Sequence, residues 1–75
     1  MKKIFTIGEG GDPVQITLRA ARVNAGLDQS DVAHKLGVNI ATVSSWETGK
    51  TRPSLENFKK LCELYKWPES GIKWP

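Results

Sequence analysis

The sequence predicts a small all-α protein, a compact bundle of four to five helices behind a short extended N-terminal arm. Apolar residues recur three and four positions apart through most of the chain, which is the period of a helix that buries one face. These segments begin after Asp, Asn or Ser and stop at glycines, the residue types that cap and end helices. A chain of 75 residues, 39% of them hydrophobic, is one domain near the lower size limit for a core without disulfides or metals.

The composition argues against a membrane or secreted protein. The single cysteine, Cys62, cannot form an intrachain disulfide, which agrees with a reducing compartment. No apolar run approaches the ~20 residues of a membrane span. The N-terminal KKIFTIG is too short and too soon interrupted for a secretion signal. We expect a cytoplasmic protein without a membrane partner, and its net charge of +3 permits a phosphate-bearing partner without demanding one.

Residues 1–11 form the expected arm, in which an apolar run, Ile4–Ile7, is ended by glycines. A single strand is not stable alone, so the arm either pairs with another segment, packs on the helices or is disordered.

The main domain is expected over 12–66. Its first helix should start at Asp12-Pro13, with Gln15 completing a capping box. The expected buried stripe of this helix is Val14, Leu18, Ala21 and Ala25.

Residues 29–48, QSDVAHKLGVNIATVSSWET, predict two short helices joined by a tight turn. Asp28 should cap the first of them, and Gly37 should end it, because a residue without Cβ adopts the left-handed conformation at little cost. Asn39 should cap the second helix, 40–48. The apolar stripes that would face each other are Val32, Ala33 and Leu36 in the first helix and Val43 and Trp46 in the second. This is the helix-turn-helix pattern, whose second helix can enter a DNA major groove.

A further helix is predicted after Ser54, followed by a tail over 67–75. Its expected inner stripe is Leu55, Phe58, Leu61, Cys62 and Tyr65. Pro68 and Gly71 allow little more than one helical turn in the tail. The tail is rich in large apolar side chains, which either cover the core or form an exposed patch; a cover is the expectation for so small a protein.

The run LDQSDVAHKLGVNIATVSSWETGKTRPSLENFKKL resembles the lambda-repressor-like, Cro-type helix-turn-helix domains of the XRE family. The shared landmarks are Gln29, Ala33, Gly37, Val43, Trp46-Glu47, Gly49 and Pro53-Ser54-Leu55. The resemblance covers roughly residues 13–66. It implies a DNA-binding regulator of transcription of the phage repressor or Cro kind, bound to double-stranded DNA, with a homodimer formed at least on the DNA.

The resemblance implies two sets of DNA-facing residues. Those expected at phosphates are Gln29, Thr42, Lys50, Thr51 and Arg52. Those expected at base edges are Ile40, Ala41, Ser44 and Ser45. Residues 40–48 contain no Arg, Lys, Asn or Gln, the side chains that read bases with paired hydrogen bonds, so we expect weak direct readout. Asp28, where many relatives carry Ser or Thr, should lower affinity further because it lies near a docking phosphate.

Other residues have structural explanations. Arg22 and Glu47 match an ion pair that many relatives form between the first and third helices. His34 has no second ligand at metal spacing, and Cys62 lies on a buried stripe, so neither predicts a metal site or a nucleophile. No catalytic constellation, cofactor motif or small-molecule site is recognisable, which argues against an enzyme. A protein-binding module of the same fold, for example an antirepressor or antitoxin-like partner, is the alternative to a DNA-binding regulator. In either case we expect it in the bacterial nucleoid or infected host cytoplasm.

Overall fold

The computed structural model describes residues 15–73 and confirms the all-α class. The described helices are α1 (Leu18–Asn24), α2 (Gln29–Leu36), α3 (Ile40–Thr48) and α4 (Leu55–Tyr65), followed by a single 3-10 turn, Glu69–Gly71. The expected arm at 1–11, the start proposed at Asp12-Pro13 and Trp74 lie outside the described residues.

Helix α1 begins later than the sequence predicted. Thr17 is its N-cap, and the Thr17 hydroxyl accepts a hydrogen bond of 3.0 Å from the Ala20 amide. Gln15 and Ile16 precede the helix, so the expected capping role of Gln15 was wrong. The reason is a long-range partner: the Ile16 amide donates to the Gly71 carbonyl at 2.8 Å, and the Ile16 carbonyl accepts from Lys73 at 2.8 Å. These bonds form a parallel β-bridge between Ile16 and Ile72, which a continuous helix would not allow.

The buried stripe of α1 also differs in one of the positions that the structure describes; Val14, the first expected position, lies outside them. Leu18 and Ala21 are buried as expected, whereas Ala25 is exposed at the end of the helix. Arg22 is buried instead, because it has charged and carbonyl partners inside the domain. Apolar periodicity alone did not reveal a buried cation on this face.

Local signals predicted α2 and α3 correctly. Asp28 and Asp31 form a reciprocal capping box at the start of α2. Gly37 ends α2 in the left-handed conformation, with φ +70°, and Asn39 caps α3 by accepting from the Ala41 amide. A residue with a side chain at position 37 would be strained by this φ value, although its Cβ would meet no atom within 4 Å.

The core lies where the inner faces of all four helices meet. Its buried apolar residues are Leu18, Ala21, Val32, Ala33, Val43, Trp46, Phe58, Leu61, Cys62, Tyr65 and Ile72. Trp46 is therefore a core residue, as predicted. Leu55 was predicted to be buried and is 64% exposed, because it is the first residue of α4 and the buried stripe begins one turn later, at Phe58.

The tail covers one end of this core. Ile72 is 2% exposed, and Trp67 packs against the buried cluster. The Trp67 indole N–H donates to the Gly71 carbonyl at 2.9 Å, which satisfies the polar atom of a partly buried aromatic side chain. The tail therefore acts as a cover through Trp67 and Ile72. We call residues 15–17 and 71–73, which hold the two ends of the domain together, the terminal clasp.

Candidate nucleic-acid interface

A buried ion pair joins α1 to α3 beneath the outer surface of the helix-turn-helix. Arg22 Nε donates to Glu47 Oε2 at 2.6 Å, and Arg22 Nη2 donates to Glu47 Oε1 at 3.2 Å. Their side chains are only 9% and 4% exposed. Arg22 Nη1 also donates to the Leu27 carbonyl at 2.9 Å, so the guanidinium holds the loop between α1 and α2 as well. The hydrogen bond to Glu47 raises the pKa of Arg22 above its ordinary value. The Arg22 guanidinium is therefore charged at neutral pH.

Gln29, the first residue of α2, joins the same carboxylate. Gln29 Nε2 donates to Glu47 Oε1 at 2.9 Å. Because Glu47 belongs to the last turns of α3, this bond places the beginning of α2 against the end of α3. An ionised carboxylate only accepts hydrogen bonds, so the amide must turn its nitrogen, not its oxygen, toward Glu47.

The outer face of α3 is neutral and carries small side chains. Val43 and Trp46 point into the core, which leaves the opposite side of the helix facing outward. Ile40 is 47% exposed, Ala41 is exposed, and Ser44 and Ser45 are half-buried. The four residues expected at base edges thus lie outside the core on one helix.

The loop after α3 folds back onto that helix. Gly49 has φ +82°, and the amides of Lys50 and Thr51 both donate to the Ser45 carbonyl, at 3.0 and 3.3 Å. Lys50, Thr51 and Arg52 are exposed. Lys50 follows Glu47 by only three residues, and Glu47 touches Gln29. These contacts put Gln29, the end of α3 and the loop in one neighbourhood. Thr42 is half-buried on α3.

The start of α2 carries negative charge beside this neighbourhood. The Asp28 carboxylate accepts from the Ser30 hydroxyl at 2.8 Å and from the Asp31 amide at 3.0 Å. These bonds, led by that from the Ser30 hydroxyl, lower the pKa of Asp28 below its ordinary value. Asp28 is therefore ionised at neutral pH. The capping box uses the backbone amides of Asp28 and Asp31, and the Gln29 side chain is a further neutral donor at this helix end.

The comparisons with known proteins agree with this geometry. The family described as helix-turn-helix matches residues 18–71, which is most of the chain. The chain belongs to the helix-turn-helix family. It is also 37% identical over 51 residues to the transcriptional repressor RstR of the cryptic phage CTXphi from Vibrio cholerae. That match covers 68% of this chain and 46% of RstR, so the chain spans about half the length of this curated relative. No solved structure matches this chain significantly.

The helix-turn-helix contains two features that the sequence did not reveal. One is the bond between Gln29 and Glu47, which lie 18 positions apart and share no local pattern. The other is Thr48, which is exposed and lies four and three residues after Ser44 and Ser45 on the outer face of α3. Thr48 follows Ala41 by seven positions, which is about two helical turns, so helical spacing would have placed both residues on the same face of α3. Its hydroxyl donates to the Ser44 carbonyl at 3.1 Å.

The described part of this helix-turn-helix domain offers little for other chemistry. Between residues 15 and 73, no group of three His, Cys, Asp or Glu side chains could hold a metal ion. None of the helices described there is long and apolar enough to cross a bilayer. Burial raises the pKa of the Cys62 thiol to about 11, so the reactive thiolate is scarce at neutral pH. His34 is exposed on α2.

Proposed function

We propose that this chain is a DNA-binding regulator of transcription of the phage repressor or Cro kind, with α3 as its recognition helix. The observation that carries the proposal is the outer face of α3, which lies outside the core of the described residues and beside a loop of exposed cations, in a chain of the helix-turn-helix family. The similarity to a phage transcriptional repressor supports the same function. A regulator of this kind needs no catalytic group and acts in the bacterial nucleoid or the infected host cytoplasm.

The phosphate contacts would come from the two ends of the helix-turn-helix. Gln29 would donate its amide to the backbone at the start of α2. Lys50, Thr51 and Arg52 would follow the backbone beyond α3, and Thr42 would add a hydroxyl. Such contacts fix the register of the protein on the duplex and supply most of its affinity.

Base recognition would rest on methyl groups and hydroxyls. Ile40 and Ala41 would pack against thymine methyls, while Ser44 and Ser45 would exchange single hydrogen bonds with base edges. Each paired hydrogen bond that is missing forgoes about 1–3 kcal/mol of discrimination between bases. DNA shape and the spacing of two half-sites bound by a homodimer would supply the remaining specificity.

A protein-binding module is the second candidate function. The ionised Asp28, its neighbour Asp31 and the absence of cations in α3 favour it. The family match and the repressor relative favour DNA instead, so this candidate ranks second.

Salt dependence of binding to a labelled 20-base-pair duplex of mixed sequence separates the two functions. Two phosphate-contacting cations per protomer, Lys50 and Arg52, predict a slope of log K against log salt of about −1.8 for each bound protomer. Lys50→Met should reduce the steepness by about 0.9. Lys73→Met is the matched control, because Lys73 is exposed in the terminal clasp and should leave the slope unchanged. Binding that ignores salt, or no binding at low salt, would reject the DNA function.

A further inference from the structure

Gln29 belongs to a hydrogen-bond network that joins three helices at the Glu47 carboxylate. Gln29 is half-buried at the start of α2, and its amide nitrogen is 2.9 Å from Glu47 Oε1. Glu47 is in turn fixed by two hydrogen bonds from the buried guanidinium of Arg22. Three helices therefore converge on one carboxylate, whose Oε1 atom accepts from both Arg22 and Gln29.

We propose that Glu47 is a positioning residue for DNA binding: it holds the Gln29 amide so that the second N–H of the same nitrogen is presented to a DNA phosphate. This inference rests on the proposed function, because it concerns how the same interface grips the backbone. The buried ion pair then has two effects, since it stabilises the domain and also orients a donor at its surface.

The chemistry of the three groups supports this assignment. Because Glu47 can only accept, it fixes which end of the amide faces inward, and a free glutamine lacks that preference. A glutamine side chain loses rotamer freedom when it is ordered, which costs free energy. Holding Gln29 in the free protein means that this cost is met on folding rather than on binding, which is preorganisation. The neighbouring carboxylates of Asp28 and Asp31 repel phosphate, so a correctly turned neutral donor matters more at this end of α2.

The test is a double-mutant cycle of DNA affinity on the full chain, with Gln29→Ala, Glu47→Gln and the double variant. All are measured at a temperature where circular dichroism shows each variant folded. In the wild-type background, Gln29→Ala should weaken binding about tenfold, as expected for a hydrogen bond to a charged group. In the Glu47→Gln background, the same change should weaken binding only about twofold. Gln15→Ala is the matched control; Gln15 belongs to the terminal clasp, its side chain donates to the Ser70 carbonyl, and its loss should leave affinity unchanged.

A purely structural role for Glu47 predicts a different result. Glu47→Gln would then lower the melting temperature, but Gln29→Ala would weaken binding by the same factor in both backgrounds. This additivity would overturn the inference, while the DNA function would stand. Absence of wild-type binding to the duplex at low salt would overturn both.

A measurement on the wild-type protein covers the case in which Glu47→Gln does not fold. The side-chain amide of Gln29 should be nearly as rigid by NMR relaxation as ordered backbone, with an order parameter of about 0.85. The exposed Gln15 amide, with its longer bond of 3.3 Å, should be distinctly more mobile. A Gln29 amide as mobile as that of Gln15 would overturn the inference.

Discussion

The helix-turn-helix and the terminal clasp are held together by different physics. In the helix-turn-helix, side chains from three helices converge on the buried carboxylate of Glu47, and each helix is closed by its own cap. In the clasp, two backbone hydrogen bonds of 2.8 Å join Ile16 to the chain near Ile72, with one large apolar side chain buried beneath them. None of the proposed DNA contacts lies in the clasp.

This difference separates stability from function in a way that can be measured. Changes in the clasp should lower the free energy of unfolding and leave the affinity of the folded protein for DNA untouched. Changes around Glu47 should affect both quantities. The predictions below test that separation, from the largest expected effect to the smallest.

Removing the buried cation should have the largest effect. Arg22→Ala leaves the Glu47 carboxylate buried without its ionic partner and frees the Leu27 carbonyl, which should cost about 3–5 kcal/mol of unfolding free energy. A domain of this size has only about 4–11 kcal/mol in total. Arg19→Ala is the control, since Arg19 lies exposed on the same helix and its loss should cost less than about 0.5 kcal/mol. Equal melting temperatures of the two variants would show that the ion pair does not stabilise the fold.

Opening the clasp should come next. Ile72→Ala removes a side chain that is 2% exposed and should cost about 2–4 kcal/mol, measured by urea unfolding. Val23→Ala, at a position 58% exposed, should cost about 0.5 kcal/mol or less. After correction for the folded fraction, both variants should bind DNA like the wild type. A loss of affinity in folded Ile72→Ala would mean that the clasp belongs to the interface.

Neutralising the start of α2 should strengthen DNA binding. Asp28→Asn keeps a side chain that caps helices well and removes a charge that repels phosphate, so affinity at low salt should rise about threefold. Glu63→Gln makes the same chemical change at an exposed position of α4 and should leave affinity nearly unchanged. The gain should shrink as salt rises, because exposed charges are screened. Equal affinities of Asp28→Asn and the wild type would place Asp28 away from the DNA.

The smallest predicted effect is on acid stability. The pKa of Asp28 is lower in the folded protein than its ordinary value of 3.8, so its capping contribution is complete above that value. This contribution should be lost as the pH falls below 3.8 and through the lowered pKa. Melting temperatures of Asp28→Asn should therefore fall less than those of the wild type over this range. If the melting temperatures of the two proteins fell equally with pH, Asp28 would not contribute to the loss of stability in acid.

The parts of this molecule that were predictable from sequence are those governed by neighbouring residues. The capping box at Asp28, the left-handed Gly37 and the cap at Asn39 are read within three or four positions, and they defined α2 and α3 correctly. The start of α1 was misplaced because Ile16 has its hydrogen-bond partners at Gly71 and Lys73, more than fifty residues away. No local sequence pattern predicts such a distant hydrogen-bond partner.

The candidate site divides in the same way. The outer residues of α3 follow from helical spacing, but the bond between Gln29 and Glu47 depends on how three helices pack. Register with a known family identified both residues without showing that they touch. Leu55 shows the limit of periodicity, since its spacing predicted burial and its place in the first turn of α4 leaves it exposed.

An amide NMR titration of the full chain with a short mixed-sequence duplex, at low and then physiological salt, tests the central claim most directly. Shifts at Gln29, 40–45 and 50–52 that fade as salt rises, with Ile16 and Ile72 unmoved, are the predicted result. Amides at those positions that remain unmoved at low salt, or shifts concentrated in the clasp, would contradict the proposed DNA interface.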